Sequence, residues 1–137
     1  MSRLHEFAYD PTRRVLRCSL KGCIADERIA EFYELTSRYI ARINPLAGIV
    51  DLSGVESFEV SSQMIHKLAA LPPAFPDVNR LRVIVAPSAH IFGMSRMFQI
   101  LTEGTRPMLR VVRTIEEAYA HLQVTESSFE PVELEID

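Results

Sequence analysis

The sequence predicts an α/β fold: a mostly parallel sheet of about five strands with an antiparallel edge strand, helices as cover, in the order β-β-α-β-α-β-α-β-α. Three observations carry this. Two short alternating or β-branched segments open the chain around a turn. Compact apolar runs then alternate with stretches whose apolar residues recur at helical spacing. The 137 residues are enough for one domain that buries its own core.

Residues 3–9 and 14–22 read as a β-hairpin, because Asp10-Pro11-Thr12-Arg13 between them supplies turn chemistry. From Asp26 the spacing of Ile29, Phe32, Tyr33, Leu35, Tyr39, Ile40 and Ile43 predicts a long amphipathic helix. Asp26 is expected to cap it, and Asn44-Pro45 to end it. Residues 47–52, between Pro45 and Ser53-Gly54, form a short apolar run that predicts a central strand buried on both faces. Val60, Met64, Leu68 and Leu71 predict a second helix, stopped by Pro72-Pro73.

Residues 81–86 predict the next strand, closed by Pro87. Ser88 then caps a helix with Ile91, Met94, Phe98 and Leu101 inside, ended by Gly104. Residues 108–112 predict a last strand, and Thr114-Ile-Glu-Glu117 a capping box that opens a final helix containing Ile115, Ala118, Tyr119 and Leu122. The domain is expected to occupy residues 1–124. Residues 125–137 form an acidic tail with Glu126, Glu130, Glu133, Glu135 and Asp137, expected to be mobile, although the alternation of Val132, Leu134 and Ile136 could pair with a sheet edge.

Composition narrows the function. Fifteen Lys and Arg against 18 Asp and Glu leave a net charge of −3, so there is no overall attraction for nucleic acid or an anionic membrane. No apolar run reaches the roughly 20 residues that span a bilayer, and the N-terminus lacks a secretory core; a soluble, cytoplasmic protein is expected. Cys18 and Cys23 are too few for a disulfide framework or a zinc site. His5, His66, His90 and His121 are scattered, and the five glycines never gather into a phosphate-cradling loop; neither metal nor cofactor is expected. The oligomeric state is open, and the antiparallel edge strand and an apolar helix face would allow a two-fold dimer.

Ile49-Val-Asp-Leu-Ser-Gly-Val-Glu56, followed by Phe58-Glu-Val-Ser-Ser62, resembles the hallmark of the STAS domain of bacterial anti-sigma-factor antagonists and sulfate transporters. Leu20-Lys-Gly22 is similar to that family's strand end before its first helix. The resemblance implies a non-catalytic regulatory module that binds a protein partner through the loop from Ser53 to Ser62, with Asp51, Ser53, Phe58, Ser61 and Ser62 as contact or modification residues. It implies that Ser61 is the serine phosphorylated by a partner kinase. Val60 and Gln63 stand where the family motif has aspartate and glycine. Phe92-Gly-Met-Ser-Arg-Met97 and Arg113-Thr-Ile-Glu-Glu-Ala118 also resemble small bacterial proteins of STAS-like or CRAL-TRIO-like fold, which implies an alternative: a carrier of a small apolar or anionic molecule, or a lipid, beside the third helix.

Two further clusters have chemical content. Glu59, Ser62 and His66 share a helical face and name a carboxylate, a nucleophile and a base, but a solvated polar face explains them equally, and no oxyanion hole is marked; an enzyme is not expected. Ser88, His90 and Arg96 surround a helix start where free amides and a cation could hold an anion, or where Ser88 simply caps. Met94, Met97, Phe98 and Met108 are expected to be core, or an adaptable groove if the third helix swings away.

Overall fold

The computed structural model describes residues 4–134. Arg3, Glu135, Ile136 and Asp137, all included in the expectations above, lie outside the described residues. β1 (His5–Asp10) and β2 (Val15–Ala25) form the opening antiparallel hairpin. Buried Asp10 makes its turn, accepting the amides of Thr12 (2.9 Å) and Arg13 (3.1 Å) on one carboxylate oxygen. Then come α1 (Asp26–Ile43), β3 (Ala47–Glu59), α2 (Ser62–Ala70), β4 (Arg82–Val85), α3 (Ala89–Leu101), β5 (Leu109–Val112), α4 (Ile115–Leu122) and β6 (Glu130–Val132).

The sheet order is β5-β4-β3-β2-β1-β6, parallel from β2 through β5 and antiparallel where β1 meets β2 and β6. Six strands replace the expected five or so, because β6 of the acidic segment pairs with β1, Phe7 opposite Val132 and Tyr9 opposite Glu130. The β1 edge on which the dimer expectation rested is therefore occupied. β6 also carries Pro131, which has no N–H to offer a further strand.

Side chains divide by strand alternation into two cores. On one face Leu16, Cys18, Leu20, Leu52 and Ala86 pack against α1, α2 and α3 through Phe32, Ile40, Ile65 and Ile91. On the other, Val15, Ile49, Val83, Val85 and Val112 pack against α4 and the segment after it through Ala118, Val124 and Phe129. That segment is tied down by Arg17, whose Nη1 lies 2.9 Å from the Glu126 carboxylate and 2.7 Å from the Tyr119 hydroxyl. The Arg17 guanidinium also sits 4.7 Å from the centre of the Phe129 ring.

Five local expectations are corrected. The strand expected at 47–52 runs on to Glu59, so Ser53-Gly54 is not a turn. The segment pairs with the far end of β2, from Lys21 opposite Gly54 to Ala25 opposite Glu59, through two register shifts. Gly22, at φ 88°, lies at the second shift, a conformation that glycine adopts freely. Asp26 is not the cap of α1: Ala25 takes that position with no side-chain bond, and Asp26 is the first helical residue. In α2 the buried residues are Ile65 and Leu68; Val60 is buried ahead of the helix and Leu71 is exposed beyond it. α3 stops at Leu101, itself exposed, before Gly104 is reached. Thr114 does cap α4, but the Glu117 carboxylate bonds the Thr114 hydroxyl rather than returning to its backbone amide.

Candidate functional site

Parallel strands deliver their helices from one edge. β2, β3 and β4 all end on the same side of the sheet, so α1, α2 and α3 begin there together, each with unpaired backbone amides. Two long-range contacts stitch these starts. Asp26, in the first turn of α1, accepts the Ser61 amide on Oδ1 and the Ser61 hydroxyl on Oδ2, both at 2.7 Å. His90, in the first turn of α3, donates through Nε2 to the Phe58 carbonyl at 3.0 Å and stands edge-on to the Phe58 ring.

Ser61 is thus held from both sides. Its Oγ accepts the Met64 amide at 3.1 Å as the cap of α2 while donating its own proton to Asp26. The backbone bond from Ser61, then the hydroxyl bond, keep the Asp26 carboxyl below its ordinary range. Ser61 is half-buried; its neighbours Ser62 and Gln63 are exposed.

The other sequence candidates spread along the same edge. Asp51 stands in the paired part of β3, opposite Ser19 and Val85, and its Oδ1 accepts the Ser53 amide at 3.0 Å. Beyond Asp51, β3 has no strand on its β4 side among the described residues, so residues 53–59 form an edge without a neighbouring strand, on which the Ser53 amide is held by Asp51 and the Phe58 carbonyl by His90. Ser53, Glu56 and Glu59 on it are exposed. Ser88 caps α3 by accepting the Ile91 amide at 3.2 Å. Arg96 lies in the third turn of α3 and donates to Gln99 of the same helix. The basic side chain at the start of α3 is Arg113, which donates to the Pro87 carbonyl at 3.0 Å and lies over the Phe92 ring. Glu59, Ser62 and His66 are all exposed, and no hydrogen bond joins them among the described residues.

Asp26 and Arg113 are the two residues that sequence reasoning missed. The only available signal for Asp26 was topological: the residue after one parallel strand must meet the residue after its neighbour. The sequence motif around Ser61 lacks the aspartate at position 60, and the fold brings a carboxylate to the same hydroxyl from α1 instead.

No protein-family model matches the sequence, and no curated protein matches it. Solved structures do. The Bacillus cell fate determinant SpoIIAA in its phosphorylated form superposes with a TM-score of 0.51 at 19% identity, over 85% of this chain and 98% of that one. The anti-sigma factor antagonist SpoIIAA in its unphosphorylated form gives 0.54 at 18% identity, over 85% and 97%. The fold is therefore STAS-like.

Proposed function

We propose that this STAS-like chain is a non-catalytic regulatory module that binds a protein partner along the free edge of β3 and the first turn of α2, and that phosphorylation of Ser61 switches the binding. The single observation that carries the reading is the Ser61 hydroxyl, shared between the α2 cap and the Asp26 carboxylate. Esterifying Oγ removes the proton that Asp26 accepts and sets roughly −1.5 to −2 charges against a carboxylate. The free amides and dipole of α2 favour the phosphate where it stands, so Asp26 is the group that must leave. Its departure loosens the first turn of α1 and the end of β2, which is the strand that supports the exposed β3 edge.

The likeness to a protein solved in phosphorylated and unphosphorylated forms adds support, because it shows that such a fold can exist in both states. An unpaired strand edge offers amides and carbonyls to a partner's extended segment, and the α2 start beside it adds polar specificity. The phosphoryl donor is a nucleoside triphosphate delivered by a serine kinase. Tandem mass spectrometry of the protein isolated from its source cells tests the site: phosphoserine at residue 61 is expected, and phosphate found only elsewhere, or none under any growth condition, contradicts the switch.

A further inference from the structure

Between the sheet and α1, α2 and α3 lies a cavity of about 160 Å3, walled by Phe32, Ile40, Leu52, Leu68 and Phe98 and almost free of polar surface. Its exceptions are unusual. Arg82 and Arg106 both line it, and they are 9% and 4% exposed. Arg82 spends Nη2 on the Phe75 carbonyl at 3.0 Å, while its Nε and Nη1 are buried with no partner among the described residues. Thr36 Oγ1, also on the wall, is buried and has no partner of good geometry.

Arg106 bonds only neutral oxygens, among them the Tyr33 hydroxyl at 2.8 Å and the Leu71 carbonyl at 3.2 Å. The carboxylate that acts on Arg82, Asp77, is itself half-exposed and pairs with Arg80 at 3.5 Å. Two guanidiniums therefore share an apolar wall, and among the described residues neither forms an ion pair with a carboxylate, although the Asp77 charge acts on Arg82 from a distance. Burial, and then the proximity of Arg106, push the Arg82 pKa down, and Tyr33 and Asp77 offset this only in part. A buried charge without a partner is costly, and water restores hydrogen bonds without supplying charge.

We infer that this cavity is a binding site for a small monocarboxylate with an apolar body, its carboxylate on Arg82 and its body among the Phe and Leu side chains. The volume sets the size, since an apolar cavity of about 150 Å3 admits benzene. Benzoate and short branched fatty acids match it; long acyl chains do not. The site is remote in role from Ser61 and stands or falls independently of the phosphoswitch.

Isothermal titration of the full chain with benzoate and 3-methylbutanoate, against benzamide and inorganic phosphate, tests this. One-site saturable binding of a carboxylate is expected, about ten-fold or more tighter than benzamide, with no binding of phosphate. In the wild-type protein, the Arg82 Nε–H resonance moves further on adding benzoate than on adding benzamide at the same occupancy. Arg82→Gln removes the preference of acid over amide, and the resonance experiment decides the matter if that variant does not fold. Equal binding of acid and amide, binding of phosphate alone, or no carboxylate binding at millimolar concentration overturns the proposal, the last meaning that the cavity holds water only.

Discussion

Ser61 is held by one carboxylate, both oxygens of Asp26, and one amide, that of Met64. Ser61→Ala deletes the α2 cap and is expected to lower unfolding free energy by about 1 kcal/mol in urea denaturation. It also removes one of the two bonds that hold the Asp26 pKa down, so the carboxyl titrates at higher pH in the variant by carbon-13 NMR, though the Ser61 amide still favours its ionised form. Because the folded pKa is lowered, the contribution of Asp26 is fully present above the ordinary carboxyl value of 3.8 and is lost as pH falls through the folded value. The cysteines give a second residue-scale check. Burial pushes the Cys18 thiol up to about 12, whereas Cys23 is exposed on the β2 end. A thiol reagent at neutral pH should modify Cys23 alone in the native protein and both residues in denaturant; rapid native labelling of Cys18 would contradict the packing of α1 on the sheet.

At the scale of elements, the β2–β3 ribbon and the C-terminal segment were hardest to read. Ser53-Gly54 carries turn chemistry, but pairing with Lys21 and Gly22 outweighs local preference, and nothing within ten residues of Ser53 announces that pairing. A side chain at Gly22 would have to adopt φ 88° with its Cβ 3.2 Å from Leu4 Cδ2. Gly22→Val is expected to cost about 1–3 kcal/mol and to weaken partner binding through the ribbon, measured by denaturation and binding together. The acidic segment reads as solvated because its charges dominate. It docks because Phe129, Val124 and the Arg17 pair outweigh them. The Tyr119 bond, then Arg17, hold the Glu126 pKa down, so this tie is intact above the ordinary carboxyl range and fails as pH falls through the folded value. Arg17→Met should release β6, raising amide exchange at residues 130–132 with little change elsewhere, a local loss of about 0.2–1 kcal/mol for so exposed a pair.

Across the whole molecule, class and element order were legible because each strand and helix carries its own apolar period and is punctuated by Pro, Gly or a capping residue: Pro45, Pro72, Ser88, Thr114. The site was legible only where it is local. Ser61 and Ser88 lie at helix starts, as the sequence suggests, whereas Phe58, expected in a loop, lies in β3 opposite Ile24. Asp26 and Arg113 were not legible, since their partners Ser61 and Pro87 are brought to them by neighbouring parallel strands rather than by chain proximity. The same convergence couples the edge: Ser61 joins the start of α2 to the start of α1, beside the end of β3. The most direct test compares partner recovered from source cells with tagged wild-type, Ser61→Glu and Thr12→Glu chains, the last adding the same charge in the exposed β1–β2 turn, away from the proposed surface. Partner recovery should fall about ten-fold or more with Ser61→Glu and hold with Thr12→Glu; equal recovery by all three chains would contradict the switch.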